Sequence, residues 1–212
     1  MKEEFWHDKW QRDDIGFHEI SGNTLLTEFF PKLSLSPGDR IFLPLCGKTR
    51  DIGWLLEQEA AVAGIELNEK AVDQLFSEMN IIPKVERVGK LSCYSASNID
   101  IFVGNIFDLN KDVLGHVGAI YDRAALVALP EDIRYQYVRH IIDITQLAQQ
   151  LLISFEYEQS LMPGPPFSVG SRQLYEYYDI EYDVKMLTTR EITGGFKNRV
   201  PAREEAWLLT PK

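Results

Sequence analysis

The apolar run RIFLPL, which begins at Arg40, empties into the loop Cys46-Gly47-Lys48-Thr49. Gly-Lys-Thr is the tail of a phosphate-binding loop, where bare backbone N–H groups wrap a phosphate chain and the lysine meets its outer oxygens. Such a loop needs a second glycine five residues before Gly47, and this chain has Phe42 there, inside the predicted strand. Pro44 removes a further donor. The spacing argues against a nucleoside triphosphatase. A dinucleotide fold is disfavoured too, because the next glycine after Gly47 is Gly53 and the close backbone approach of G-x-G-x-x-G is missing.

Glu66 closes the next apolar run, AVAGIEL, 19 residues after Gly47. A carboxylate at a strand tip accepts hydrogen bonds from both hydroxyls of a ribose, although the same residue could cap the following helix or face water. Further strand ends fall at Asn105-Ile106-Phe107-Asp108 and at Asp122-Arg123. An adenosine ligand without phosphate, carrying a compact amino-acid tail, tolerates this loop. S-adenosylmethionine has that chemistry, with its ribose at Glu66, its adenine near Ile106 and Phe107, and its sulfonium over the strand tips. The guanidinium fork of Arg123 suits a carboxylate; the plainer alternative is a pair with Asp122 or another acid. Asp122 itself either positions the amino group of the ligand or orients Arg123.

Trp6 and Trp10, four residues apart, share one face of a predicted helix and could cover a sulfonium or an adenosine. Trp54 reads as helix packing. His7 and His18 have no carboxylate placed opposite them, and Cys46 has no histidine near it in sequence to raise its thiolate fraction, so a structural role is expected for His18 and Cys46. No paired carboxylates and no His–Asp arrangement stand out. The strand-tip acids are therefore read as binding groups, and no catalytic residue is assigned.

The elements that must position these groups alternate. A turn at Ser36-Pro37-Gly38-Asp39 precedes RIFLPL; TRDIGWLLEQ is a helix with Ile52, Leu55 and Leu56 on one face. Asn68 offers a cap to a helix with Ala71, Val72, Leu75, Phe76 and Met79 at helical spacing. KLSCYS and IDIFVGNIF read as a hairpin whose second strand enters the main sheet. VGAIYD and QLLISFEY are strands flanking a helix that begins after Pro130 and carries Ile133, Tyr137, Val138, Ile141 and Ile142. SLMPGPPFSVG is a loop, SRQLYEYY a short helix, and two long strands finish the chain. Continuous apolar strands joined by amphipathic helices imply a mainly parallel sheet covered on both faces, a three-layer α/β sandwich, with an antiparallel edge from the tail.

The 212 residues, 45% hydrophobic and 25% charged, suit one domain. The 22 basic and 32 acidic side chains give a net charge of −10, which disfavours a nucleic-acid partner and an anionic membrane surface. Two cysteines, no CxxC and no histidine cluster leave no disulfide framework or metal site to propose. MKEEFWHDKWQRDD has no apolar signal-like stretch, and no apolar run approaches the roughly 20 residues needed to span a bilayer. A cytoplasmic monomer is expected.

The segments FWHDKWQRDDIGFHE, LPLCGKTRDIGWL, GIELNEKAV, GNIFDL, IYDRAALVAL, PGPPF and EAWLLTPK carry a resemblance to the thiopurine S-methyltransferase family that runs nearly the whole chain. PLCGK with YDRAALVAL at this spacing is more specific than any general methyltransferase pattern. The resemblance implies a Rossmann-like class I methyltransferase with a seven-stranded, mainly parallel sheet and an antiparallel C-terminal strand. It implies one S-adenosylmethionine-dependent domain over 1–212, with 1–35 as a helical lid. The activity implied is methylation of sulfur in thiopurines and other aromatic or heterocyclic thiols, and of selenium or tellurium compounds in bacterial relatives. The cofactor contacts it implies are Trp10, Leu45, Glu66, Asn105, Ile106 and Arg123. The acceptor pocket would be built by the lid, the MPGPPF loop and the GGFKNRV region, whose Lys197 and Arg199 would meet an anionic substrate. Two alternatives stand beside it: a nicotinamide or nucleotide enzyme, against which the loop argues, and a non-catalytic sensor or scaffold binding S-adenosylmethionine.

Overall fold

The computed structural model describes residues 3–15, 19, 21–196 and 198–212; His18 and Lys197 lie outside the described residues. Seven helices are described: α1 (Glu3–Gln11), α2 (Thr24–Phe29), α3 (Asp51–Glu57), α4 (Glu69–Glu78), α5 (Lys111–Leu114), α6 (Glu131–Ile144) and α7 (Ser171–Tyr178). The strands are β1 (Arg40–Leu43), β2 (Ala61–Glu66), β3 (Lys84–Val88), β4 (Leu91–Ala96), β5 (Ile99–Val103), β6 (Ala119–Arg123), β7 (Gln149–Tyr157), β8 (Tyr182–Glu191) and β9 (Ala202–Pro211). They form one sheet in the order β3-β4-β5-β2-β1-β6-β7-β9-β8.

The five central strands are parallel. Successive residues of β1 bury on opposite faces: Ile41 and Leu43 pack with Leu26, Ile52, Leu55 and Val72, while Phe42 packs with Tyr137, Val138 and Ile141. Both faces are thus apolar, which is why RIFL reads as a continuous run rather than an alternating one. Helices α2, α3 and α4 supply one outer layer, and α6 and α7 the other. The three-layer arrangement and the antiparallel C-terminal strand, β9, agree with the sequence reading.

The strand count does not. The sheet has nine strands where seven were expected: the KLSCYS–IDIFV hairpin is present as β4 and β5, and β3, which was not anticipated, pairs antiparallel outside β4. Four of the five residues of β3 are exposed, so the segment KVERV has no apolar signature to read. Asn68 also departs from expectation. It occupies the N-cap position of α4, yet its side chain does not cap; its Nδ2 lies 3.0 Å from His7 Nδ1 instead. Nearby, Gly64 has no room for a side chain, since an added Cβ would lie 2.8 Å from Ile101 Cδ1 and 2.9 Å from Cys46 Sγ. That close approach seats the loop after β1 against β2.

From β1 the chain steps outward to β2 and β5, then crosses back to β6 on the other side of β1. The order reverses between β1 and β6, and a crevice opens beyond the carboxyl ends of strands at such a point. Among the described residues, no helix is long and apolar enough to cross a membrane.

Candidate active site at the strand tips

That crevice is a cavity of about 1070 Å³, at the upper end of the range for small-molecule sites. All six residues singled out in the sequence line it: Trp10, Leu45, Glu66, Asn105, Ile106 and Arg123. They arrive from α1 and from the ends of β1, β2, β5 and β6, so only the fold brings them together.

The loop after β1 is folded back onto β2. Cys46 N donates to Ile65 O at 3.0 Å, and Gly47 N donates to Glu66 Oε2 at 2.9 Å. Asn68 N donates to Glu66 Oε1 at 2.9 Å. Each oxygen of this buried carboxylate therefore accepts one backbone N–H and keeps a second lone pair. Burial pushes the Glu66 carboxyl above its ordinary range, and the bonds from Asn68 and Gly47 pull the other way. Leu45 lies in the left-handed region, with φ 46°. A non-glycine residue there is sparsely populated and costly, and such residues cluster at ligand sites. Ala124, just past β6, has φ 64° and also lines the cavity.

Lys48 does not offer its charge to a ligand phosphate; it pairs with Glu78 at 2.7 Å. The Cys46 thiol is pushed well up by burial first and by Glu66 second, so it stays protonated and unreactive, as its expected structural role requires.

Arg123 ends β6 and pairs with Glu19, not with Asp122. Asp122 points to the other face of the sheet. Its Oδ1 accepts from Leu126 N at 3.1 Å and its Oδ2 from Tyr137 Oη at 2.6 Å. Neither role considered for it, orienting Arg123 or meeting a ligand amino group, is compatible with that placement, because consecutive strand residues face opposite sides. Burial, offset by those hydrogen bonds, pushes its carboxyl up from 3.8 to about 6. A carboxyl raised by folding makes the native state bind more protons than the unfolded chain between the two values. Stability from this group is full below about 4 and falls as pH rises through 6. Asp122→Asn is therefore expected to flatten the fall in urea-unfolding free energy between pH 5 and pH 8 by about 1 kcal/mol. Equal slopes in the two proteins would mean that Asp122 does not titrate there.

Helix α1 covers the crevice. Trp10 is 2% exposed, Trp6 is half-buried, and both line the cavity. Polar ties fasten the segment, among them Asn105 Nδ2 to Glu3 Oε1 at 2.6 Å, Asn68 to His7, and Lys70 Nζ to Trp10 O at 2.9 Å and to Asp13 Oδ1 at 3.1 Å. Among the described residues of 1–35, the lining extends no further than Glu19; Leu25, Leu26 and Leu33 are fully buried in the core instead. Trp54 packs edge-on against Phe30, as helix packing.

The far wall is apolar. Leu129, Ile133, Phe155, Met162, Pro165 and Phe196 line it, with the Phe155 and Phe196 rings 5.0 Å apart and nearly perpendicular. The proline-rich loop is held in place by Phe167 N on Val127 O at 2.7 Å and by Tyr157 Oη on Pro166 O at 2.7 Å. Arg199, expected to meet an anionic substrate, is not among the described lining residues.

The sequence reading missed a buried polar network on the floor. Asn23 N donates to Asp51 Oδ1 at 2.7 Å, Tyr121 Oη donates to Asp51 Oδ2 at 3.1 Å, and Asn23 Nδ2 donates to Glu204 Oε1 at 3.1 Å. Asp51 reads in sequence as an ordinary acid in a first helical turn. Glu204 and Glu205 belong to the charged start of β9, Arg203-Glu204-Glu205, and were not singled out either.

A family model described as thiopurine S-methyltransferase matches residues 1–210. Thiopurine S-methyltransferase of Xanthobacter autotrophicus is 48% identical over 99% of both chains, and that of Teredinibacter turnerae 48% identical over 99% of this chain and 98% of the relative. Among solved structures, an S-adenosylmethionine-dependent methyltransferase of Anabaena variabilis superposes with a TM-score of 0.66 at 11% identity, covering 99% of this chain and 95% of that one. The 1,6-didemethyltoxoflavin N1-methyltransferase of Burkholderia thailandensis, solved with S-adenosylhomocysteine, gives 0.63 at 12% identity over 98% and 87%. At those identities the structures speak for the fold alone, a Rossmann-like methyltransferase fold. The family model and the bacterial relatives span nearly every residue, and the chain belongs to the thiopurine S-methyltransferase family.

Proposed function

We propose that this chain transfers the methyl group of S-adenosyl-L-methionine to the sulfur of small aromatic or heterocyclic thiols, thiopurines among them, as a cytoplasmic monomer. The observation that carries this reading is the placement of Glu66 and Arg123 on either side of β1, across the point where the strand order reverses. Two free, buried cysteines suit a reducing compartment.

The residues fit the cofactor. Glu66 keeps an acceptor site on each oxygen for the two ribose hydroxyls, and Arg123 presents a guanidinium to the methionine carboxylate. Leu45, Asn105 and Ile106 flank the space between, and Trp10 closes it. A phosphate-bearing ligand fits less well, because the loop has one glycine and Lys48 is already neutralised by Glu78. Bound there, the cofactor supplies an electrophilic methyl on a sulfonium.

The rest falls to the chain. Helix α1 and its polar ties hold a lid (within the N-terminal 1–35 segment) over the crevice and exclude water. The apolar wall of Phe155, Met162, Pro165 and Phe196 takes a flat acceptor and fixes its sulfur relative to the strand tips, where alignment lowers the barrier. Incubation with labelled S-adenosylmethionine and 6-mercaptopurine, thiophenol, selenite or tellurite, followed by S-adenosylhomocysteine release, tests the reading. Turnover with the thiols is expected; binding of S-adenosylhomocysteine with no turnover of any acceptor would point to a sensor.

A further inference from the structure

We propose that Glu204 is a catalytic residue, the base that takes the proton of acceptor thiols entering the cavity un-ionised. The inference rests on the methyl-transfer reading and concerns a step that the reading leaves open. A thiopurine or thiophenol is already substantially thiolate near neutral pH, but an alkyl thiol is not, and only the thiolate is a competent nucleophile.

Glu204 lies on β9 directly opposite Phe155 of β7, so the carboxylate sits beside the aromatic wall that takes the acceptor. Its Oε1 is oriented by the amide of Asn23, which is itself 4% exposed and locked by Asp51. No hydrogen bond to its Oε2 is found among the described residues, and Glu204 lines the cavity. The neighbouring acids are engaged elsewhere. Both oxygens of Asp51 accept bonds, Glu19 pairs with Arg123, Glu66 is held by two backbone N–H groups, and Asp122 faces the opposite side of the sheet.

In the step, the S–H bond breaks with its electron pair staying on sulfur, and the proton forms an O–H bond on Glu204. The negative charge moves from carboxylate to thiolate, so the cavity gains no net charge. The proton leaves to water after turnover. Every charged group facing Glu204 bears on its proton affinity. Burial raises it, as does Glu19; Arg123 of β6, Arg190 of β8 and the Asn23 bond lower it, and the balance is upward. Arg190 is the cross-strand partner, yet its guanidinium is bonded to Glu28 and Thr24. A carboxylate with raised proton affinity is the better base at neutral pH.

The test compares benzyl mercaptan, an alkyl thiol, with 4-nitrothiophenol, which is ionised at neutral pH, in wild type and Glu204→Gln between pH 6.5 and 8.5. With benzyl mercaptan, wild-type kcat/KM is expected to be nearly flat above neutrality. The variant is expected to lose about 100-fold at pH 7 and to climb about tenfold per pH unit, since solvent must then ionise the thiol. With 4-nitrothiophenol the loss is at least tenfold smaller and the slope disappears. Calorimetric affinity for S-adenosylhomocysteine changes less than twofold. Equal losses with both thiols, parallel pH profiles, or an affinity shift above tenfold would overturn the assignment, the last by making Glu204 a cofactor contact. Should Glu204→Gln fail to fold, Glu204→Asp keeps the carboxylate and is expected to keep a flat profile; a slope of one there counts against the base. Wild-type protein inactive on both thiols defeats the methyl-transfer reading itself, and the proposal with it.

Discussion

Replacing Glu66 with alanine is expected to lower the affinity for S-adenosylhomocysteine by at least about 30-fold, on the order of 2 kcal/mol or more, because two charge-assisted hydrogen bonds to the ribose are lost together. The side chain sits at the carboxyl end of a central strand, 6% exposed, with each oxygen already pinned by a backbone N–H of a different loop. That pinning costs the ligand nothing in side-chain ordering, so the full strength of the ribose contacts appears in binding. The same substitution has a second consequence. Gly47 N and Asn68 N would be left buried without acceptors, each loss worth about 1–3 kcal/mol, and the protein should unfold at lower urea. Glu66→Gln separates the two effects, since its amide oxygen still accepts from one backbone N–H while its charge is gone. Calorimetry on both variants, beside urea unfolding, is decisive. Lower stability with unchanged affinity would make Glu66 a staple between two loops and nothing more.

The fold was legible wherever burial on both faces left an apolar run. β1, β2, β6 and β7 are such strands, and the ends of β1, β2, β5 and β6 pointed to Glu66, Asn105, Ile106 and Arg123, while Trp10 and Leu45 as cofactor contacts came from the family resemblance. What could not be read falls into three physical kinds. Edge strand β3 packs so few side chains that its composition is that of a loop. Side-chain partners are set by three-dimensional neighbours: Asp122 and Arg123 are adjacent in sequence yet serve opposite faces, and Asn68, a good capping residue by type, is drawn to His7 by the arrival of α1. Backbone strain is invisible as well. Nothing in PLCGK announces that Leu45 rather than a glycine takes the left-handed conformation, since that geometry is imposed by the bond of Cys46 N to β2.

The far wall shows a related limit. The proline-rich loop was read as irregular from composition, but its position depends on bonds to Val127 O and to Tyr157, residues 40 and 9 positions away in the chain. Glu204 is a further case: beside Arg203 and Glu205 it reads as an ordinary charged strand start, and only its partial burial makes it an acid that has to be either paired or functional. Its one hydrogen bond, to Asn23 from the opposite end of the sequence, could come only from the structure.

Arg123→Ala is expected to weaken S-adenosylhomocysteine binding by about 10–100-fold, the scale of one lost charge-assisted pair in a partly buried site. The guanidinium ends β6 with its side chain 9% exposed, and in the ligand-free protein it faces the carboxylate of Glu19. A methionine carboxylate would compete for that same fork. Removing Glu19 alone therefore has the opposite expected sign: Glu19→Gln takes one competing carboxylate off the fork and tightens cofactor binding by a few-fold, while a shared, bidentate-capable arginine makes Arg123→Lys intermediate because the planar geometry is lost but the charge is kept. The three variants together discriminate between readings. If Arg123 only stitches the N-terminal segment to β6, the alanine and glutamine variants weaken stability alike and leave affinity alone. If it holds the cofactor carboxylate, calorimetry gives opposite signs for the two, and raising ionic strength reduces the difference only modestly, since salt screens a pair this buried far less than one at the surface.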